Sequence, residues 1–305
     1  MRCVVFAYHD IGVACLCELL AQGAEVVAVF THDDDPGENI WFHSVRGVAE
    51  EKHLPVFAPD DVNRPEWVQR LRAWQPDFLF SFYYRRLLSP EILAIPARGA
   101  FNLHGSLLPR YRGRCPVNWV LIHGETQTGV TLHHMVEKPD RGDIVSQRAV
   151  PISDDDTAAT LYAKLTVAAA QLMRDVYPRL CDGTAARIPQ DHSRASYFGG
   201  RRPEDGRIDW QQPARSIFNL VRAVTHPYPG AFATWNGARL YVWAAGVEAG
   251  RSGAPGRILS VSPELIVGTG SGGLVVRRVQ GDGEAEMSGA QWAAAHSVRE
   301  GESLG

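Results

Sequence analysis

The sequence predicts an α/β fold, with an open, mostly parallel sheet covered by helices and a small β-rich domain after it. Three observations carry this. Through the first half, short β-branched or aromatic runs alternate with helical patterns, the arrangement that builds a parallel sheet with helices packed on it. A long amphipathic stripe follows from Asp156, and beyond about Asp205 the pattern changes to closely spaced strands punctuated by glycine and proline.

Taken in order, residues 2–8 form an apolar run of strand length, 13–20 carry apolar residues at helical spacing, and 25–30 return as a second strand. Asn63-Arg64-Pro65-Glu66 reads as a capping box with proline in the first turn, leading a helix whose Trp67, Leu71 and Trp74 face the sheet. Residues 77–82, 100–104, 129–133 and 144–150 are the further strands. The result is a Rossmann-like open sheet. Leu161, Leu165, Leu172 and Val176 then recur four or seven apart, a helix that Pro178 is expected to close. In the last third, Ile217, Leu220, Val221 and Val224 share one face of a helix. Strands at 231–235, 239–243, 256–259, 265–268 and 274–279 are numerous enough for a small, OB-like barrel. The expected division is therefore 1–204 and 205–305, with a mobile tail at 299–305.

The chain has 305 residues, 45% hydrophobic and 21% charged, so it can bury a core in one large or two modest domains. Its formal charge of -3 offers no general attraction for a polyanion, so no nucleic acid is expected as partner. No stretch approaches the roughly 20 apolar residues of a membrane span, and the first run is too short for a signal peptide, so no membrane insertion and a cytoplasmic location are expected. Cys3, Cys15, Cys17, Cys115 and Cys181 contain no CxxC spacing and read as reduced packing residues. Where a dinucleotide-binding turn needs GxGxxG, the chain has His9-Asp10-Ile11-Gly12-Val13-Ala14, so no NAD is expected. The histidines show no HxxxH or similar set, so no metal is expected; the adjacent His133 and His134 read as structural. The acidic run Asp33-Asp34-Asp35-Pro36 reads as a solvated loop, since it would repel a nucleotide.

The informative segment is Phe101-Asn102-Leu103-His104-Gly105-Ser106-Leu107-Leu108-Pro109-Arg110-Tyr111-Arg112-Gly113-Arg114. Residues two apart on a strand point to one face, so Asn102 and His104 emerge together while Phe101 and Leu103 go to the other side. Gly105 ends the strand, and open α/β sheets place ligand sites at the carboxyl ends of their strands.

Asn102-x-His104-x-Ser106-Leu107-Leu108-Pro109-x-Tyr111-x-Gly113 resembles the signature of the 10-formyltetrahydrofolate-dependent formyltransferases. That resemblance implies an oxyanion donor at Asn102, an acid/base at His104 and a supporting carboxylate at Asp140, in Val136-Glu137-Lys138-Pro139-Asp140-Arg141-Gly142. It implies 10-formyltetrahydrofolate as co-substrate, held by Arg86, Leu87 and Leu88, by the Val136, Glu137, Lys138, Pro139 and Asp140 loop, and with Arg114 near it. The stretches Val4 to Asp10, Ser81-Phe82-Tyr83-Tyr84-Arg85, Tyr111 to Trp119 and Gly124 to His133 are similar to the formyltransferase half of bifunctional polymyxin-resistance enzymes. This implies formylation of UDP-4-amino-4-deoxy-L-arabinose, a sugar used in lipid A modification. A UDP-glucuronic acid decarboxylase/dehydrogenase, separate or fused, is the implied partner. Phe198, which can flank a uracil, and Arg201, which can meet a diphosphate, are the expected contacts to the sugar nucleotide.

The chemistry agrees with the residues. When an amine attacks a formyl carbon, negative charge grows on the carbonyl oxygen, and an amide N–H placed there strengthens its hydrogen bond in the transition state. The nitrogen must lose a proton and the departing folate nitrogen must gain one, both within reach of an imidazole. A carboxylate hydrogen-bonded to the ring would orient it and favour its protonated form. Formylation of another nucleotide amino sugar, or of methionyl-tRNA, and hydrolysis of the formyl donor are the alternatives. A sugar-nucleotide binding module without catalysis is a fourth.

Overall fold

The structure, a computed structural model, describes residues 1–34, 37 and 39–305; Asp35 and Pro36 of the acidic run lie outside it. The chain divides into two compact units.

The first unit comprises Met1–Pro116, Gln127–Ile152 and Tyr162–Gly199. Its sheet contains β1 (Arg2–Ala7), β2 (Glu25–Phe30), β3 (Val56–Phe57), β4 (Phe78–Phe82) and β5 (Gly99–His104). After the two-residue β6 (Arg112–Gly113) come β7 (Gln127–His134) and β8 (Ile144–Pro151), and β9 (Tyr197–Phe198) pairs with β6 apart from the main sheet. The main order is β3-β2-β1-β4-β5-β7-β8. The pairings β1–β2, β1–β4, β2–β3 and β4–β5 are parallel, while β7 pairs antiparallel with both β5 and β8. The strand order reverses direction between β1 and β4, the place where open sheets leave a crevice at the carboxyl ends of their strands.

Apolar side chains on both faces explain why these segments are strands. Every residue of β4 is buried, as expected of a strand with helices above and below. Val4, Phe6, Ala28, Phe30, Leu79 and Ala100 form one side of a core into which the helix Pro65–Ala73 sends Val68 and Leu71, with Trp67 and Trp74 packed against it.

Two helix ends differ from what the local sequence leads one to expect. The helix after Asn63 begins at Pro65, but its N-cap is Arg64 and no side chain caps it. The Asn63 amide is instead used elsewhere, its Oδ1 accepting from Ser89 N–H at 2.7 Å and its Nδ2 donating to the Leu87 carbonyl at 3.1 Å. Pro178 does not end its helix, which spans Ala158–Asp182. Proline has no N–H for the helical ladder, but Tyr177 and Leu180 around it are 3% and 7% exposed, and their packing carries the helix on.

The second unit comprises Val117–Thr126, Ser153–Leu161 and Gly200–Gly305. It holds β10 (Ala231–Trp235), β11 (Ala238–Glu248), β12 (Ile258–Ser260), β13 (Leu265–Gly268), β14 (Gly273–Gly281) and β15 (Met287–Ser288). They form an antiparallel sheet ordered β10-β11-β14-β13-β12, with β15 on β14. Register shifts in the β11–β14 pairing curl it into a half-barrel. The helix Ala214–Val224 packs on β11 with Ile217, Val221 and Val224 buried.

The tail is not loose, contrary to expectation. Ile258 exchanges backbone hydrogen bonds with Gly301 and Glu302 at 2.8 Å each, and Thr234 exchanges two with Gly305 at 2.8 and 2.9 Å. Leu304 is buried. A polar, glycine-containing segment looked mobile in sequence, yet its backbone pairs with β12 at one end and β10 at the other.

Candidate active site

The site is built on β5. Asn102 pairs with His133 across the antiparallel β5–β7 ladder, so their side chains share a face, and His104 is the last residue of the strand. Asn102 Nδ2 lies 3.1 Å from His133 Nε2. Asp140 Oδ1 lies 3.6 Å from His104 Nδ1 and 3.7 Å from His133 Nε2. An amide, two imidazoles and a carboxylate are therefore gathered at the carboxyl end of β5.

Hydrogen bonds to the backbone fix which nitrogen of His104 can act. Its Nε2 is 2.7 Å from the Tyr111 carbonyl, an oxygen that can only accept, so Nε2 carries a proton. In the neutral ring Nδ1 is then the basic nitrogen, and it is the one on the Asp140 side. The ring and the carboxylate were expected to share a hydrogen bond; at 3.6 Å they form a close electrostatic pair instead. The reason is local: the other oxygen, Oδ2, accepts from Gly113 N–H at 2.8 Å.

Asp140 is nearly buried, and burial alone would favour its neutral form. The positive charge available on His104, together with the Gly113 N–H, outweighs that and holds its carboxyl well below the usual range.

One short strap serves both His104 and Asp140. Tyr111 accepts from His104, Gly113 donates to Asp140, and between them Arg112 is buried and bonded to Gln190 Oε1 and His192 Nδ1. Gln190 Nε2 in turn donates to the Asp140 and Gly142 carbonyls at 2.9 and 2.6 Å. Burial lowers the Arg112 pKa from its ordinary value, with the charge of Arg141 acting the same way and Asp140 opposing. Gly113 has φ +95, and a Cβ there would run into the Phe198 carbonyl of the paired strand. Tyr111 and Asp140 are left-handed too, each at φ +58, a conformation that costs a bulky residue of order 1 kcal/mol or more.

Of the residues expected at the folate, Leu88 is buried in the core beneath β4 and Met135, just before Val136, packs on the same cluster. Leu87 and Val136 leave that cluster for solvent, 71% and 44% exposed, and Glu137, Lys138, Pro139, Arg86 and Arg114 are exposed as well. Arg86 donates to the Pro59 carbonyl, and Arg114 N–H to that of Phe198. Phe198 stacks on Tyr111 at 5.1 Å. Arg201, in the other unit, donates to the Asp205 carbonyl at 2.7 Å and lies over the Trp119 ring at 4.8 Å. Of the cysteines expected to be packing residues, Cys3 and Cys15 are buried and Cys17 is exposed.

A family model described as formyl transferase matches residues 1–177, and one described as formyl transferase, C-terminal domain, matches residues 201–297. The chain belongs to the formyl transferase family. It is a formyl-transferring enzyme. Among solved structures it is similar to an N-formyltransferase from Helicobacter canadensis in complex with folinic acid and dTDP-3-aminofucose. That match has 20% identity and a TM-score of 0.70, over 90% of this chain and 98% of that one. It is similar to WlaRD, a sugar 3N-formyl transferase in the presence of dTDP and 5-N-formyl-THF, with 18% identity, TM-score 0.70 and coverage of 93% and 99%. HypX from Aquifex aeolicus matches at 19% identity and TM-score 0.63 over 99% of this chain, which spans 48% of that one. At these identities the likeness is one of fold.

Sequence reading set His133 aside as structural. Its contact with Asn102 follows from the β5–β7 register, and the only trace of it in the sequence is that two strands each place a polar residue on their ligand face. Among the described residues no group of histidine, cysteine and carboxylate side chains can hold a metal ion, and no helix is long and apolar enough to cross a membrane.

Proposed function

We propose that this formyltransferase moves the formyl group of 10-formyltetrahydrofolate to the amino group of a nucleotide-linked sugar. The observation that carries the reading is the meeting of Asn102, His104 and Asp140 at the end of β5. Asn102 Nδ2 donates to the oxygen that becomes negative when the amine attacks. His104 Nδ1 takes a proton from the attacking nitrogen and returns one to the departing folate nitrogen. Asp140 offsets the imidazolium formed between these steps.

A flat, partly apolar ring needs apolar walls, and the exposed Leu87 and Val136 are suited to supply them, with Arg86, Leu88, Arg114 and residues 136–140 around the folate. Phe198 and Arg201 are assigned to the nucleotide. The acceptor we favour is the 4-amino group of UDP-4-amino-4-deoxy-L-arabinose, giving the formamido sugar of lipid A modification. A UDP-glucuronic acid decarboxylase/dehydrogenase would then supply the acceptor's precursor. The working division is a catalytic segment 1–204 and a small segment 205–305, close to the boundary between the two family matches. A dTDP-linked 3-amino sugar is the second reading, favoured by the ligand named for the Helicobacter canadensis enzyme.

The test is a panel of UDP- and dTDP-linked amino sugars offered with 10-formyltetrahydrofolate, the products weighed by mass spectrometry. A formamide from one UDP-linked 4-amino sugar is expected. Formate release without any acceptor, or formylation of methionyl-tRNA alone, would overturn the proposal.

A further inference from the structure

The proposed oxyanion donor has two ends, and only one of them can do the work. A carboxamide presents an acceptor oxygen and a donor nitrogen of almost the same size, so something must decide which end meets the growing negative charge. In this fold the deciding group is within reach. His133 is 2% exposed, on the strand next to β5, in register with Asn102. Its Nδ1 lies 2.8 Å from the carbonyl of His134, and a carbonyl only accepts. Nδ1 therefore carries a proton, and in the neutral ring Nε2 is left as an acceptor. That acceptor is 3.1 Å from the Asn102 side chain, which must turn its N–H group toward it. The second N–H of the same nitrogen remains for a ligand, and Oδ1 is directed away from His133.

We infer that His133 is a positioning residue for the transfer, a neutral Nδ1–H imidazole that orients the Asn102 carboxamide so that its donor is ready before charge develops. Asp140 is the charged group beside it, 3.7 Å from Nε2, too far to receive a hydrogen bond from it. An amide fixed in advance does not have to rotate during the reaction, which is what makes such a donor effective. The inference rests on the proposed role of Asn102 and adds the residue that makes that role possible.

The test uses the full chain with isotopically labelled nitrogen. Long-range proton–nitrogen correlation spectra of wild type and His133→Phe identify the His133 ring by difference, and Asn102→Ala identifies the Asn102 side-chain pair. A protonated Nδ1 with an unprotonated Nε2 is expected, and the Asn102 signals should move in His133→Phe. With the acceptor that the panel selects, kcat of His133→Phe should fall on the order of tenfold to a hundredfold while both KM values stay within about threefold. His133→Gln, whose Oε1 can reach the same Nδ2, should recover a large part of that loss and serves as the check if the phenylalanine variant folds poorly. A protonated Nε2, unmoved Asn102 signals, or an unchanged kcat in His133→Phe would overturn the inference. Failure of the functional reading would look different: no turnover with any amino sugar, while the tautomer and the Asn102 shifts are found as expected.

Discussion

In the proposed reaction Asn102 and His104 act only once charge moves, so their removal should be visible in turnover and hardly in stability. Asn102→Ala and His104→Ala are each expected to lose kcat by about 10² to 10³, the range typical of an oxyanion donor, with melting temperatures near that of wild type. Losses below about tenfold in single-turnover formyl transfer would remove these residues from the chemistry. Asp140 is different, because its charge also enters the stability. Its carboxyl is depressed in the folded protein, so unfolding makes it bind its proton more readily. Its contribution is complete above the ordinary carboxylate value near about pH 4 and disappears as pH falls toward the folded value. Asp140→Asn keeps an acceptor for Gly113 N–H but loses the charge. Wild type should therefore melt above the variant near neutral pH, and thermal scans should show the gap narrowing in strong acid. A gap independent of pH would mean that hydrogen bonding alone, without the charge, holds Asp140.

Among the elements, β5 was legible and the strap beside it was not. A strand with alternating sides tells which residues share a face, and the glycine after His104 tells where it stops, so Asn102 and His104 could be placed from the sequence. β6 and β9 have two residues each and no period to read; they exist because a loop returns to pair with them. For the same reason Tyr111, Arg112 and Gln190 gave no sign of holding His104 and Asp140. Asn63 and Pro178 show a related limit, since a local motif states a preference that tertiary partners can outbid. The strap yields an element-level expectation. Gly113→Ala places a methyl group against the Phe198 carbonyl at a φ that disfavours side chains. It should lower kcat by on the order of tenfold or more, because both Tyr111 O and Gly113 N–H would shift by a fraction of an ångström. Folate and sugar-nucleotide affinities measured by calorimetry should change less than turnover. Equal losses in all three would mean a general collapse of the loop.

At the scale of the whole molecule, the order of apolar patterns foretold the class: an α/β first part and a β-rich second part in a core-forming, mildly acidic chain. Its end was misread, because backbone pairing leaves no mark in a polar tail. The segment 301–305 pairs with β12 through Ile258 and with β10 through Thr234, and these are the two strands at the margins of the second sheet. An unpaired margin is a row of free N–H and C=O groups able to recruit the same strand from another molecule. Residues 301–305 cover part of both margins, so fewer such groups are left open there. A chain cut after Glu300 should still fold its first unit, yet light scattering should show it self-associating at concentrations where the intact chain stays monodisperse.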